Sequence, residues 1–249
     1  MSGMRHAIPS LLVLAVLVLA WQALHSLAST SAITSPAETL ARLATLTGTE
    51  RFWLDVGETG VAFLWALLLS ILLGVVAGIM LGLSKPVGKL VEPILVIFYS
   101  LPKVTLYPLV LLGFGLGLSA KVAFGVMHGF VPITLLTRNA ILQIRPVHRK
   151  TARVLHLSRM DTLRSVILPA IAPDLVAGIR IGFSLSLLGV LTGEMFASKR
   201  GLGFSAVNAM NLGDIGTIMA IGVFLAAFAV LANSLLLAAE RRIRFRTAR

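Results

Sequence analysis

The twenty-five residues from 59 to 83 pass without a single charged side chain. As a helix they rise about 37 Å, enough to cross the ~30 Å of hydrocarbon in a bilayer. Further apolar runs occur at 8–27, 90–112, 120–136, 167–193 and 215–239. Hydrocarbon offers the backbone no hydrogen-bond partners, so runs of this kind must satisfy their own amides and fold as helices. The chain therefore reads as all-α, a polytopic membrane protein with six transmembrane helices. Its composition, 57% hydrophobic and 13% charged over 249 residues, leaves no room for a soluble domain of that length. It contains no cysteine, which excludes a disulfide framework, a thiolate nucleophile and a cysteine metal site.

A net charge of +12 would suit a nucleic-acid binder. The placement of the bases argues otherwise, because they flank the apolar runs on alternate sides while the aromatic residues lie inside them. Lys and Arg accumulate in short cytoplasmic loops. Six spans with both termini inside assign to the cytoplasm Arg5, Lys85, Lys89, the bases from Arg138 to Arg164 and those from Arg241 to Arg249. Arg42, Arg51, Lys121, Lys199 and Arg200 fall outside, giving a threefold inner excess. Lys103 and Arg180 lie within spans.

The order along the chain follows. Residues 1–58 hold a first helix and an external amphipathic excursion; a cleaved leader with a small-residue site near 26–29 is the alternative for the first run. In the excursion Ser35 is an N-cap, Pro36 suits the first helical position and Glu38 lies in the first turn. A second short helix near 51–58 leads into the membrane. Gly74, Gly78 and Gly82 at intervals of four allow a close helix contact. The third span should break near Pro102 and again near Pro108. Residues 59–239 form the core, and 240–249 are a basic cytoplasmic tail.

The second half has one long polar interruption, RPVHRKTARVLHLSRMDTLRSVILP, residues 145–169. It carries Arg145, Arg149, Lys150, Arg153, Arg159 and Arg164 against one acid, Asp161, so it lies on the cytoplasmic face. Val147, Val154, Leu155, Leu157, Met160, Leu163 and Ile167 recur at roughly helical spacing. One or two short amphipathic helices result. Their apolar stripe docks on a partner or lies on anionic lipid headgroups.

Within that run, KTARVLHLS followed by ILP resembles the cytoplasmic "EAA" loop of the permease subunits of binding-protein-dependent ATP-binding-cassette importers. SLPKVTLYPLVLLGFGLGLSAKV, GEMFASKRGLGFSAVNAM and AAERRIR resemble the nitrate/sulfonate/taurine-type members, over roughly residues 59–244. The resemblance implies a type I importer permease fold. Two permease subunits, usually identical, would enclose the pathway, with two cytoplasmic ATP-binding subunits holding ATP and magnesium and an extracytoplasmic solute-binding protein delivering a small anion such as a sulfonate, taurine or nitrate. It implies no cofactor in this chain, no enzymatic step of its own, and a place in the bacterial inner membrane. Residues Lys150, Thr151, Ala152, Arg153, Leu155, His156, Leu157, Ser158 and Arg159 fall on the ATPase-coupling loop. Lys150 stands where the family has Glu and His156 where it has Gly.

A charge at mid-bilayer is costly unless paired or hydrated, which makes intramembrane ionisable residues functional candidates. Lys103 beside Pro102 either attracts an anion or bridges freed backbone carbonyls. Arg180 needs a counter-charge, with Glu194 or Glu92 as the candidates. Tyr99, Ser100, Thr105, Ser184 and Ser186 offer hydroxyls to an oxyanion or bond back to their own helices. His128 reads as a packing residue. Glu194, Lys199, Arg200 and Asp214 bracket the outer loop where a binding protein would dock. An ion-coupled secondary transporter or channel using Lys103, Arg180 and Glu194 is the competing reading. An intramembrane hydrolase would need a nucleophile motif that the sequence lacks.

Overall fold

The computed structural model describes residues 2–27 and 33–247, and every element among them is helical. The helices are α1 (Ser2–Leu27), α2 (Pro36–Thr47), α3 (Glu50–Leu83), α4 (Lys85–Ser100) and, after a 3₁₀ turn at Lys103–Leu106, α5 (Tyr107–Phe114). Then come α6 (Leu118–Leu142), α7 (Pro146–Val154) and α8 (Arg159–Thr162). A π-helical turn at Leu163–Ile167 leads into α9 (Leu168–Ala197), followed by α10 (Leu202–Asn211) and α11 (Ile215–Thr247). Residues 28 and 29 of the alternative cleavage site, and the last two residues of the tail, lie outside the described residues.

The core is a three-helix stack of α3, α6 and α9. Along α3, Gly74, Gly78 and Gly82 form a strip on which α6 lies directly. A Cβ built on them would stand 2.9 Å from Ile133, 2.5 Å from Thr137 and 2.8 Å from Ile141 respectively. The expected close contact is thus real, and it needs all three glycines, because membrane helices without side-chain bulk gain packing by backbone approach. On the other side Ala62, Phe63 and Ala66 of α3 meet Phe183, Leu187 and Val190 of α9. Phe63 and Phe183 pack edge to face at 4.9 Å. α11 closes the group through Phe228, whose ring lies 6.4 Å from that of Phe63.

Four helical segments are long and apolar enough to span: Glu50–Leu83, Leu118–Leu142, Arg159–Phe196 and Ile215–Ile243. The α4 and α5 pair makes a fifth span only if its 93° bend is counted as a break within one crossing, and Leu12–Leu27 is a shorter apolar helix. The third span is therefore a bent arm. Leu101 takes the extended conformation (ψ 138°) that a following proline imposes, and Pro102 supplies no N–H to continue the ladder. Pro108 does not add a second break, since it sits at the start of α5, where proline fits.

Several boundaries move for physical reasons. The expected short helix at 51–58 is the start of α3, which runs unbroken from Glu50. α6 continues past residue 136 and carries Arg138 inside the packed bundle, so that base is not part of a loop. Lys121, expected outside, is likewise buried in the first turn of α6. The tail is helical through Thr247 as the end of α11. α2 matches expectation: Ser35 and Glu38 form a reciprocal capping box. The bond from the Ser35 backbone N–H, then that from its hydroxyl, holds the Glu38 carboxyl below its ordinary range.

Candidate functional site

The residues between α6 and α9 build a projecting knuckle. Pro146 opens α7 at its first position, and Ala152 on its underside is buried. α7 stops in a paired turn in which the Leu157 N–H donates to the Ala152 carbonyl at 3.0 Å and the His156 N–H donates to Arg153, also at 3.0 Å. This Schellman arrangement requires a left-handed residue after the cap, normally glycine. His156 occupies that position with φ 47°. Ser158 then caps α8, accepting from the Asp161 N–H at 3.1 Å and donating to its carboxylate at 2.5 Å. Ile167 and Ile171 pack on Ala140 and Ile141 and tie the knuckle's root to the core. Its tip is the reverse: Val154 is 76% exposed, Leu155 62% and Met160 53%, with Arg153 and Arg159 exposed beside them.

At the opposite end of the bundle a second polar construction is almost wholly buried. Glu194 of α9 has no exposed surface. Its carboxylate accepts from the Gly203 N–H at 3.0 Å and from the Thr59 hydroxyl at 2.9 Å. Thr59 in turn accepts from the Leu202 N–H, and Asp55 accepts from the Gly201 N–H and the Ser205 hydroxyl. Three successive backbone amides at the start of α10 are thus satisfied by side chains of α3 and α9, which is the need a helix N-terminus creates. The buried Lys121 ammonium lies 3.5 Å from Glu194 and 3.7 Å from Glu58, and donates to the Arg200 carbonyl at 3.0 Å. Gly201 (φ 118°) and Gly203 leave no space for a Cβ, the first against the Glu194 carboxylate and the second against the Leu191 carbonyl.

Residues 70–248 match the family described as "binding-protein-dependent transport system inner membrane component". The chain belongs to that family. The match takes in the knuckle, Glu194 and Lys121 of the buried network, and all of α6, α9 and α11. A probable ABC transporter permease protein of Haemophilus influenzae is 27% identical over 80% of this chain and 81% of its own length. The taurine transport system permease protein TauC of Escherichia coli is 29% identical over 88% of this chain and 80% of its own. The fold is also that of a chain of the MetNI methionine ABC transporter in an inward-facing conformation, with a TM-score of 0.66 and 23% identity over 81% of this chain and 100% of that one. The chain is accordingly a permease component of an importer, with the all-helical architecture expected of one.

Within this permease the coupling-loop candidates stay together on one projection. Arg153, Leu155, His156, Ser158 and Arg159 line its exposed tip, Leu157 is half-buried and Ala152 anchors it. Lys150 lies mid-way along α7 with its side chain exposed and is not at the helix start, so replacing an acid there has no helix-terminus consequence. The pathway candidates do not converge. Lys103 is buried, donates to the Tyr99 carbonyl at 3.0 Å and lies 5.1 Å from the Tyr99 ring centroid, so it satisfies one carbonyl at the bend. Ser100 and Thr105 bond back to Val96 and Pro102. Tyr99 and Ser184 are exposed, while Ser186 is buried against Ser70. His128 bonds to the Phe124 carbonyl at 2.9 Å, a packing role.

Two expectations are corrected. Arg180 faces Glu240 of α11 at 3.6 Å, and neither acid expected beside it is available: Glu194 is held by Thr59 and Lys121, and Glu92 forms a two-pronged pair with Arg138 at 2.8 Å. Glu194, expected at a docking surface, has no surface to offer. Lys199 and Arg200 are exposed, and Asp214 is half-buried, capping α11 through the Thr217 N–H and pairing with Arg42 at 2.6 Å. The Thr217 amide, then its hydroxyl and the Arg42 guanidinium, hold the Asp214 carboxyl below the usual carboxylate range. Sequence reasoning missed Thr59 and Lys121 as Glu194's partners, and Asp55 as the acceptor for the Gly201 N–H. The available signal was the glycine pair at 201 and 203 seven and nine residues after a lone acid.

Proposed function

We propose that this permease works as a pair of identical subunits, with the 145–165 knuckle in the cytoplasm as the segment that receives motion from a separate ATP-hydrolysing subunit. The observation that carries this reading is the knuckle's two-sidedness: a buried root fastened to α6 and α9, and a tip presenting Val154, Leu155 and Met160 among arginines. An apolar centre with an arginine rim is the composition of a protein interface. ATP and magnesium belong to the partner. Both termini lie on the cytoplasmic side, as the threefold excess of bases favours.

The exposed face of the α4–α5 arm, with Leu90, Ile97, Leu109 and Leu112 at 63–83% exposure, supports contact with the second copy. Tyr99, Ser100, Thr105 and, on α9, Ser184 are exposed hydroxyls that suit the pathway between copies better than lipid. Similarity to a taurine permease supports a small anion, an aminosulfonate or related species, brought by an external solute-binding protein. The charged residues an ion-coupled carrier would use are all engaged within the chain, Lys103 with Tyr99, Arg180 with Glu240 and Glu194 with Thr59, which favours the importer.

The test is uptake of labelled taurine by cells or proteoliposomes carrying the assembled transporter, with Arg153→Glu/Arg159→Glu in the permease. Membrane insertion should be unchanged and uptake per ATP hydrolysed should fall at least tenfold. Uptake at the level of the unsubstituted transporter would overturn the coupling role.

A further inference from the structure

On the end of the bundle opposite the knuckle, Arg51, Lys199 and Arg200 surround a concavity of about 270 Å³ floored by Leu54 and Asp55. We propose that this basic cup receives an acidic patch of the external solute-binding protein; this rests on the importer reading above and names the chemistry of one of its partners.

Three observations converge. The first is charge. The one acid in the cup, Asp55, spends both oxygens on the Gly201 N–H (3.0 Å) and the Ser205 hydroxyl (2.6 Å), and none of the three bases has an ion pair among the described residues. The second is rigidity. The backbone presenting Lys199 and Arg200 is fixed from behind, because the Arg200 carbonyl accepts from Lys121 at 3.0 Å and from Ser198 at 2.5 Å, and Gly201 is fastened to Asp55. A preorganised loop loses little freedom on binding, and exposed unpaired bases steer an acidic partner into register.

The third is height. α3 is continuous from Glu50 to Leu83, which puts Arg51 about 48 Å along the helix from Leu83 at 1.5 Å per residue. With Leu83 at the inner edge of ~30 Å of hydrocarbon, Arg51 stands roughly 15–18 Å beyond the outer edge, above the headgroup layer of a 40–45 Å bilayer. Lipid phosphates are therefore out of reach, and a macromolecule in the aqueous compartment is the occupant. Leu54, 46% exposed, gives the cup the apolar floor that such contacts use.

The experiment measures binding of the co-purifying solute-binding protein to the complete transporter in phosphatidylcholine nanodiscs, from 50 to 300 mM salt. Arg51→Glu/Lys199→Glu/Arg200→Glu should raise Kd at least tenfold at low salt and flatten its salt dependence. The Gln triple variant, which keeps the side-chain bulk, should give a smaller rise, and both should unfold at the unsubstituted temperature. Reversing an acidic cluster on the binding protein should restore affinity for the Glu variant alone. An unchanged Kd and salt dependence would overturn the proposal. So would a loss reproduced only when phosphatidylglycerol is present, which would make the occupant a lipid, or displacement by millimolar sulfate at constant ionic strength, which would make it a free anion. If the unsubstituted transporter binds no such protein, the importer reading itself fails, whatever the cup does.

Discussion

Removing the Glu194 carboxylate should be among the most damaging single changes in this bundle. In Glu194→Ala the Gly203 N–H loses its acceptor in a dry site, an orphaning that costs about 1–3 kcal/mol. The Lys121 ammonium, 4% exposed, loses its nearest acid and keeps the Arg200 carbonyl at 3.0 Å and a single acid, Glu58 at 3.7 Å, whose side chain is 47% exposed. Breaking a buried pair from one side costs about 3–5 kcal/mol, because the remaining charge stays buried. These two effects share the same site and do not add, so about 3–5 kcal/mol is expected for the Ala variant. Glu194→Gln keeps the shape and one acceptor oxygen but turns an amide toward Lys121, for about 1–3 kcal/mol.

The assay is reversible unfolding in mixed micelles, followed by tryptophan fluorescence, on a cycle of Glu194→Gln, Lys121→Met and the double variant. If the two groups stabilise each other, the double variant should recover most of the loss, with a coupling energy of at least ~1.5 kcal/mol. An Ala variant within ~1 kcal/mol of the unsubstituted protein, or a cycle with no coupling, would refute the reasoning: the network would then be reached by water and the pairing incidental.

Other positions give sharp expectations. Gly78→Leu places side-chain atoms where Thr137 already stands, so α3 and α6 should separate at a cost of at least 1–3 kcal/mol, read as a lowered unfolding midpoint, while the same change at the open Gly222 should be nearly neutral. His156→Gly should preserve coupled ATP hydrolysis, since glycine suits φ 47°, whereas His156→Val forces a β-branched residue into the left-handed region at about 1–2 kcal/mol and should lower coupling. Asp214 has a lowered pKa in the fold, so its contribution is present above the ordinary aspartate value of about 3.9 and is lost as pH falls through its folded value. Protection of the amides at the start of α11, taken relative to the intrinsic exchange rate at each pH, should therefore fall in acid for the unsubstituted protein and already be reduced at neutral pH in Asp214→Ala, by well under ~1 kcal/mol for the charge given its exposure.

How much of this was legible in the sequence depended on whether the signal was local. The α2 cap, the break at Pro102 and the glycine strip of α3 each follow from a residue's own backbone chemistry, and each is found where it was expected. The knuckle was legible because bases and apolar residues alternate at helical spacing over a run with no competing pattern. Partner choice was not legible, since it depends on which helices the stack brings side by side. Arg180 was matched with the acids nearest in expected depth, yet α11 lies against α9 and supplies Glu240, while Glu92 is taken by Arg138 across α4 and α6. Glu194 shows the same limit in a more consequential form. An acid at the end of an apolar run reads as a solvated loop residue, and only the fold reveals that α3 brings Thr59 and α6 brings Lys121 to meet it. The glycines at 201 and 203 then follow from the acid, because any side chain there would occupy the space its carboxylate and the α9 backbone already fill. The buried network therefore holds the loop, and the loop holds Lys199 and Arg200 outward: a change at Glu194 should disturb binding at the cup without touching it, whereas a change at the cup should leave the network intact.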